Sequence, residues 1–188
     1  MTEPAQWTVL CDGYVGDRVA STVTYVRDGD TRIVIDPGMV ASRDLILAPL
    51  ARLGVAPQEV TDVVFSHHHP DHTLNAALFP RARYHDFWAV YQDDVWTSRP
   101  ADGYRLSPAV RLLATPGHTE EDITTLIDAE EGTVAFTHCW WHAAGPAEDP
   151  YAWDAEVLRA SRQKVLALAQ VVVPGHGAPF TPDAATPR

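Results

Sequence analysis

The chain has 188 residues, of which 46% are hydrophobic and 21% are charged, and its formal net charge is -11. These values are ordinary for a globular protein with an apolar core, and they argue against a disordered chain. Its 14 Lys and Arg residues are scattered among 25 Asp and Glu residues. We therefore expect no general binding to nucleic acids or to anionic membranes.

The N-terminal residues and the cysteines bear on the location of the protein. Residues 1–6 lack the basic and apolar regions of a signal peptide, and no apolar run approaches membrane-spanning length. The two cysteines, Cys11 and Cys139, are too few for a disulfide framework. We expect one domain spanning residues 1–188 and a cytoplasmic location, and the sequence leaves open whether the protein forms a homo-oligomer.

The first third of the chain is predicted to be mostly strands, because it is rich in Val, Ile and Thr. Asp28-Gly29-Asp30 is a tight hairpin signal, and Ser42 is predicted to cap a helix. In chain order the predicted elements are strands at 7–11, 21–27 and 31–35, a helix at 42–53, a strand at 61–65 and a short helix at 74–79.

The second half repeats strands followed by a helix. Aromatic and apolar residues at 87, 88, 91 and 95 share one helical face, which predicts a helix. The predicted elements are that helix at 86–96, strands at 104–106, 110–114, 123–128 and 133–137, a helix capped by Asp154 and reaching about residue 169, and a strand at 171–173. Two such halves fit two packed sheets with helices outside.

The most informative stretch is Ser66-His67-His68-His69-Pro70-Asp71-His72, which directly follows the predicted strand at 61–65. Imidazole and carboxylate groups at this density are typical of sites for zinc, and less often for iron or manganese. Four of its side chains are candidate metal ligands: His67, His69, Asp71 and His72. His68 alternates away from them and is not predicted to bind metal.

Further candidate ligands also lie just beyond predicted strands. His118 and His176 stand next to glycine, in Pro116-Gly117-His118 and Pro174-Gly175-His176-Gly177. Cys139 follows the strand at 133–137. Because a sheet can bring several strand ends to one edge, we expect these side chains to converge on one cleft.

The order of these motifs resembles the metallo-β-lactamase superfamily: His-x-His-x-Asp-His, then Gly-His, then a strand-end ligand, then Gly-His-Gly. Asp36, in Ile35-Asp36-Pro37-Gly38, matches an early Asp-x-Gly turn of that family. The resemblance covers nearly the whole chain and is strongest to the small metallo-β-lactamase-domain-containing proteins. It implies an α/β fold, a four-layer αβ/βα sandwich with a metal cleft at one edge.

The resemblance also implies two ligand sets. His67, His69 and His118 would hold a first metal. Asp71 and His176 would hold a second one, with His72 as a further ligand. Asp36 would orient a ligand histidine through a hydrogen bond, although a simple turn residue before Pro-Gly is an equally good interpretation.

The stretch Phe136-Thr137-His138-Cys139-Trp140-Trp141-His142 departs from the family pattern. Most hydrolases of the family end this strand with Gly-Asp, and that aspartate bridges two metals. Here Cys139 stands at the aspartate position and His138 at the glycine position. The favoured interpretation is a thiolate ligand of the second metal, as in the B1 class, which would select zinc over harder ions. The alternatives are that His138 coordinates instead, or that only one metal binds.

The expected activity is hydrolysis of a small ester, thioester, lactone or related acyl substrate by metal-activated water, with two zinc ions as the expected cofactor. Asp71 would orient the water, and His142 is a candidate general acid whose other interpretation is a solvated loop residue. Trp140 and Trp141 are predicted to line a pocket for a small-molecule substrate, while Trp88, Trp96 and Trp153 are predicted to be packing residues of helices.

Two other reactions compete with acyl hydrolysis. The similarity to the small domain-containing proteins also implies phosphodiester hydrolysis, including RNA cleavage, against which the acidic composition and the missing bridging aspartate count. A mononuclear iron oxidoreductase resembling persulfide dioxygenases would need two histidines and an aspartate. These would come from His69, His118 and Asp71, with Cys139 as a further candidate.

Overall fold

The computed structural model describes residues 3–188, so the first two of residues 1–6, which the sequence analysis tested for a signal peptide, lie outside the described residues. Twelve strands form two sheets. The first sheet contains, in spatial order, β1 Gln6–Cys11, β2 Val23–Asp28, β3 Thr31–Ile35, β4 Asp62–Val64, β5 Arg83–His85, β6 Ala89–Gln92 and β7 Val95–Ser98. The second sheet contains five strands that are also neighbours in chain order: β8 Arg105–Ser107, β9 Val110–Ala114, β10 Ile123–Ala129, β11 Gly132–Thr137 and β12 Val171–Pro174.

Both sheets are mixed. In the first, β3, β4 and β5 are parallel and the remaining neighbours are antiparallel. The hairpin between β2 and β3 turns through Gly29, whose φ of 58° is the left-handed conformation that the predicted turn requires. In the second sheet only β11 and β12 are parallel. The parallel pairs bring the ends of several strands to one edge of the molecule.

Three helices accompany the sheets: α1 Asp44–Arg52, α2 Pro70–Thr73 and α3 Ala155–Leu166. Ile46 and Leu50 of α1 are fully buried against the first sheet, and Leu158 and Val165 of α3 are buried against the second. The carboxylate of Asp154 accepts hydrogen bonds from the first backbone N–H groups of α3, as a helix cap does.

A third apolar layer lies between the two sheets. It includes Val26, Ile33 and Val64 from the first sheet and Val134 and Phe136 from the second. The order of layers is therefore helix, sheet, sheet, helix. This is the four-layer αβ/βα sandwich that the sequence predicts.

The predicted helix at 86–96 is wrong. These residues contain β6 and β7, an antiparallel hairpin whose turn includes Asp93 at φ 55°. The carboxylate of Asp86 begins the hairpin by accepting hydrogen bonds from the backbone N–H groups of Trp88 and Ala89, both at 2.8 Å. The aromatic spacing imitates a helical face, but the β-branched and aromatic composition and the turn at 93 favour strands.

Other local predictions also need correction. The short helix at 74–79 is instead α2 followed by a 3-10 turn at Ala76–Leu78. Trp88, Trp96 and Trp153 are 46%, 59% and 56% exposed, so they are not buried packing residues of helices. Within the described range 3–188, no helix combines the length and apolar character needed to cross a bilayer.

Candidate metal centre

Possible metal-ligand atoms cluster in four overlapping groups of three residues at the edge of the sandwich, and two of these contain His138, once with His67 and His72 and once with His118 and Asp149. The other two groups consist of predicted ligands. The first is His67, His69 and His118, and the second is Asp71, His72 and His176. Within each group, one nitrogen or oxygen atom per residue lies within 4.8 Å of the others. Residues 67–72 follow β4, while His118 and His176 follow β9 and β12, so the predicted convergence of these strand ends is present.

In the first group, three imidazole nitrogens face one another. Nδ1 of His69 lies 2.9 Å from Nε2 of His67 and 3.2 Å from Nε2 of His118. Nδ1 of His118 donates to Oδ2 of Asp149 at 2.7 Å, so its Nε2 carries a lone pair. Nδ1 of His69 carries at most one proton, which it can donate to only one of the two neighbouring Nε2 atoms. At least one of the two contacts therefore joins nitrogen atoms that have no proton between them.

His67 is held in the same tautomer by the chain beside it. The hydroxyl of Ser66 donates to Oδ2 of Asp36 at 2.7 Å, because a carboxylate can only accept. That hydroxyl oxygen is 3.0 Å from Nδ1 of His67 and accepts a hydrogen bond from its N–H. Nε2 of His67 therefore also carries a lone pair, which faces the centre of the group.

In the second group, too, Nδ1 of each histidine donates a hydrogen bond, which leaves a lone pair on Nε2. Nδ1 of His72 donates to Oδ2 of Asp36 at 2.8 Å, and Nδ1 of His176 donates to the carbonyl oxygen of Ala20 at 2.9 Å. Both Nε2 atoms therefore carry lone pairs, and each lies 3.6 Å from Oδ2 of Asp71. Nε2 of His72 is buried and has no hydrogen-bond partner among residues 3–188.

Asp36 is placed by an unusual backbone turn. Its φ of 51° is in the left-handed region, and its Oδ1 accepts a 2.7 Å hydrogen bond from the backbone N–H of Ser66. The turn fits closely against the loop, because a Cβ added to Gly38 would lie 1.6 Å from the carbonyl oxygen of Asp71. The predicted hydrogen bond between Asp36 and a loop histidine is present.

The donor set fits a divalent metal ion. Burial lowers the pKa of His67, and burial lowers the pKa of His176 to about 4, so both imidazoles are neutral at pH 7. Neutral nitrogen lone pairs that face one another without a proton between them repel, unless a cation lies among them. Imidazole and carboxylate donors at this number and spacing suit zinc.

Cys139 does not lie where the thiolate prediction needs it. The residue is 2% exposed and packs with Leu126, Leu158 and Val165 beneath α3. Burial raises the pKa of its thiol to about 12, so the thiolate is disfavoured. Among the described residues it belongs to no group of clustered ligand atoms.

His138, the alternative ligand in the sequence analysis, lies among the histidines instead. It is 3% exposed, and its ring centroid is 4.1 Å from that of His118 and 4.5 Å from that of His67. Its Nε2 is 3.1 Å from Nε2 of His176. The structure thus brings together His138 and the predicted histidines, and it leaves Cys139 outside them.

The remaining predicted residues are divided between the core and the rim. Trp140 is fully buried between Arg162 and Phe180, so its assignment to a substrate pocket is wrong. Trp141 is half-buried, stacks on Tyr151 at 5.8 Å and lies 6.4 Å from the ring of His176. His142 is exposed, and its backbone pairs with that of Gly145 across a loop.

Two buried carboxylates near the histidines were not predicted. Asp149 holds His118 and also accepts a hydrogen bond from Nε1 of Trp141 at 3.1 Å. Oδ1 of Asp122 lies 3.7 Å from Nδ1 of His67, and burial raises the pKa of this carboxyl to about 7. Asp122 accepts hydrogen bonds from Thr119, so the Thr-x-x-Asp spacing was a usable local signal, whereas Asp149 carries none.

An aromatic cavity of about 400 Å³ lies beside the centre. Trp153 in its wall donates a backbone hydrogen bond to the carbonyl oxygen of His118 at 2.9 Å, and Trp88 touches the ring of His68. Burial lowers the pKa of His69, and the charge of Glu121, also in the wall, opposes this decrease. The lining includes Phe87, Trp88, Pro116, Glu120, Glu121 and Trp153.

Comparisons with known proteins agree with this architecture. The sequence model of the metallo-β-lactamase superfamily matches residues 16–146. The chain is 33% identical over 186 residues to metallo-β-lactamase domain-containing protein 1 of Xenopus laevis, covering 92% of this chain and 79% of that protein. It is 36% identical over 159 residues to the human protein of that name, covering 79% of this chain but only 59% of that protein.

Solved structures show the same fold. A metallo-β-lactamase-type protein from Thermotoga maritima has a TM-score of 0.75 at 23% identity, covering 96% of this chain and 100% of that one. AidC, a dizinc quorum-quenching lactonase in complex with the product N-hexanoyl-L-homoserine, has a TM-score of 0.62 at 17% identity, covering 82% of this chain and 71% of that one. From the family match, the relatives and the shared fold, the chain belongs to the metallo-β-lactamase superfamily.

Proposed function

We propose that this protein is a zinc-dependent hydrolase that acts on a small ester, thioester, lactone or related acyl compound. One observation carries the proposal. In both ligand groups, neighbouring acceptors fix the histidine tautomers so that Nε2 lone pairs face the centre of each group. These lone pairs belong to His67 and His118 in the first group and to His72 and His176 in the second. Histidines oriented in this way are typical of metal ligands held by outer hydrogen bonds.

A divalent ion in such a site polarises a substrate carbonyl and makes a nucleophile available from water at neutral pH. The chain's own contribution centres on Asp71. Its side chain is 18% exposed, and its Oδ2 faces both His72 and His176. With Oδ2 turned toward the metal, the other carboxylate oxygen, Oδ1, would accept a hydrogen bond from the attacking water and take up its proton.

The aromatic cavity supports an acyl substrate. Its volume of about 400 Å³ is within the range of small-molecule sites, and Phe87, Trp88 and Trp153 give it apolar walls. Because Trp153 binds the backbone of His118, the cavity is fixed relative to the metal centre. An acyl chain would lie against these rings.

Charge favours acyl compounds over phosphodiesters. Glu120 and Glu121 line the cavity, and its described lining contains no Lys or Arg. An RNA backbone would meet these carboxylates without a basic group to neutralise its phosphates. The similarity in fold to a lactonase is in keeping with an acyl substrate, whereas the identity of that substrate within the class is left to experiment.

A substrate panel tests the proposal. The zinc-loaded and metal-free proteins would be compared on an N-acyl homoserine lactone, an acyl thioester, an aryl ester and a bis-aryl phosphodiester. Zinc-dependent turnover of at least one acyl compound, well above that of the phosphodiester, is expected. Preferential phosphodiester cleavage would refute the acyl proposal, as would iron in the purified protein together with oxygen consumption on a persulfide.

Variants connect that activity to the site. His118→Asn should abolish the zinc-dependent acceleration, because it removes one ligand nitrogen of the first group. His68→Asn is a matched substitution in the same loop, and the ring of His68 points to Asp86 and Trp88. It should keep the bound zinc of the wild type. Acyl hydrolysis that survives His118→Asn would show that the histidine cleft is not the source of the activity.

A further inference from the structure

The end of β11 alternates between two faces. Val134 and Phe136 point into the apolar layer between the sheets, and Ala135 points to the layer beneath α3. Side chains along a strand alternate with a period of two, so residue 138 continues the face of 134 and 136. Cys139 continues the face of Ala135, which explains why its thiol is in the α3 layer.

The face between the sheets ends at the metal centre, and His138 is therefore directed into it. Its ring centroid lies 4.1 to 5.0 Å from those of four other histidines, which are His67, His72, His118 and His176. No hydrogen-bond partner for its Nδ1 is found among residues 3–188 although the atom is buried. No neighbouring acceptor therefore fixes the tautomer of His138, and Nε2 is the nitrogen that faces His176.

His138 clusters with ligand atoms of both groups, and its nitrogen contact with His176 favours the second. Nδ1 of His176 already donates to Ala20, so its Nε2 is a lone pair, and Nε2 of His138 lies 3.1 Å from it. Two nitrogens bound tetrahedrally to one zinc at about 2.0–2.1 Å lie about 3.3 Å apart. The distance in the structure is close to that value, and it is similar to the 2.9 and 3.2 Å contacts of the first group.

We propose that His138 is a ligand of the second metal and completes a site with Asp71, His72 and His176. It would take the part that the aspartate after this strand takes in the hydrolases that the sequence resembles. The inference rests on the proposed zinc site, but not on the identity of the substrate.

With the imidazole of His138 in place of the aspartate of the related hydrolases, the two ions would be held differently. Asp71 would be the single anionic side chain among the second ligand set, and no protein carboxylate of the two sets would be shared between both ions. Removal of His138 should therefore weaken zinc binding at the second site, which keeps three ligands, and leave the three histidines of the first one intact. A carboxylate at position 138 should restore binding, because it supplies an oxygen donor on the same face of the strand.

Zinc content after dialysis against a zinc buffer tests this inference without using substrate. Wild type and the variants His138→Ala, His138→Asp and Cys139→Ala would be measured by elemental analysis. The zinc ratio should fall from about two to about one in His138→Ala, recover in His138→Asp and stay at about two in Cys139→Ala. Circular dichroism would show which variants fold, and His138→Gln would replace His138→Ala if that variant does not.

Two results would overturn the assignment. One is an unchanged zinc ratio in a folded His138→Ala or His138→Gln protein. The other is a thiolate-to-metal charge-transfer band in the cobalt-substituted protein that Cys139→Ala removes. Loss of one zinc from His138→Ala in a protein that hydrolyses no acyl compound would support the assignment while refuting the proposed function, so the two failures are distinguishable.

Discussion

The carboxylate of Asp149 accepts a 2.7 Å hydrogen bond from Nδ1 of His118, across 31 residues of sequence. The same carboxylate also accepts hydrogen bonds from Nε1 of Trp141 and from the backbone N–H of Tyr151. These bonds fix the carboxylate, and the carboxylate fixes the tautomer of His118. The loop that carries Asp149 therefore helps to build the first ligand group.

Asp149→Ala should weaken binding of the first metal. Loss of an outer partner of a metal-binding histidine costs about 10–100-fold in affinity, because the ring is no longer held in the right tautomer and orientation. Asp149→Asn should cost less, since its amide oxygen can still accept from Nδ1. Competition with a chromophoric zinc chelator would measure both affinities. Wild-type affinity in Asp149→Ala would show that this hydrogen bond has no part in metal binding.

Asp36→Ala should act on the second metal and on the fold together. The variant leaves Nδ1 of His72 and the backbone N–H of Ser66 without their acceptor. We expect about 10–100-fold weaker binding at the second site. We also expect a decrease of roughly 1–3 kcal/mol in the free energy of unfolding of the metal-free protein, because buried donors are left unpaired. Urea titrations with a chelator present would separate the two effects, and unchanged metal-free stability would contradict the second expectation.

The thiol of Cys139 should be inert in the native protein. Its pKa is raised to about 12 by burial, and burial also raises the pKa of Cys11. Ellman's reagent should therefore react with neither thiol until the chain is unfolded, and then with both. A chelator should not change the native result. A thiol that becomes reactive when metal is removed would indicate that a cysteine is a metal ligand.

Stability of the metal-free protein should decrease on acidification. Burial lowers the pKa of His67 and His138, and that of His176 to about 4, whereas unfolded histidine has a pKa of about 6.5. Below about pH 6.5 each of these three histidines takes up a proton more readily in the unfolded chain, whereas Asp122, whose pKa burial raises to about 7, has the opposite effect. Because three groups oppose one, the free energy of unfolding is expected to fall as the pH falls. The contribution of the histidines is fully present above that pH and is lost progressively toward about pH 4. Urea titrations from about pH 7.5 to 5 would test it, and constant or increasing stability on acidification would contradict it.

Trp153→Ala should weaken binding of the acyl chain without removing metal. The substitution keeps the backbone hydrogen bond to His118 but takes one aromatic wall from the cavity. We expect KM for a long-chain acyl substrate to rise about tenfold, equivalent to about 1.4 kcal/mol, with a smaller rise for an acetyl substrate. Steady-state kinetics on a chain-length series would measure this difference. An equal effect at all chain lengths would show that the ring does not contact the acyl chain.

The candidate ligands that follow β4, β9 and β12 could be predicted because strand ends converge whatever the details of the loops between them. His67, His118 and His176 are examples. Asp149 could not, since it lies in a loop without periodicity and its role depends on how that loop folds over His118. Hydrogen-bond partners that are distant in sequence are fixed by tertiary structure alone.

The choice between His138 and Cys139 was open to a simple sequence argument. Alignment with the family motif favours Cys139, but the alternation of Val134, Ala135 and Phe136 between two apolar layers favours His138. Because one residue along a strand reverses the direction of the side chain, only one of these two neighbours would face the cleft if the alternation continues past Thr137, where β11 ends. The hairpin at 89–98 shows that a periodic pattern can also mislead. Four aromatic or apolar residues at helical spacing were too few to establish a helix.

Anomalous scattering from crystals of the zinc-loaded protein, measured on both sides of the zinc absorption edge, tests the metal centre most directly. Two zinc peaks are expected. One would lie among His67, His69 and His118, and the other among Asp71, His72, His138 and His176. No zinc peak in this cleft, or a second peak bound to Sγ of Cys139, would contradict this expectation.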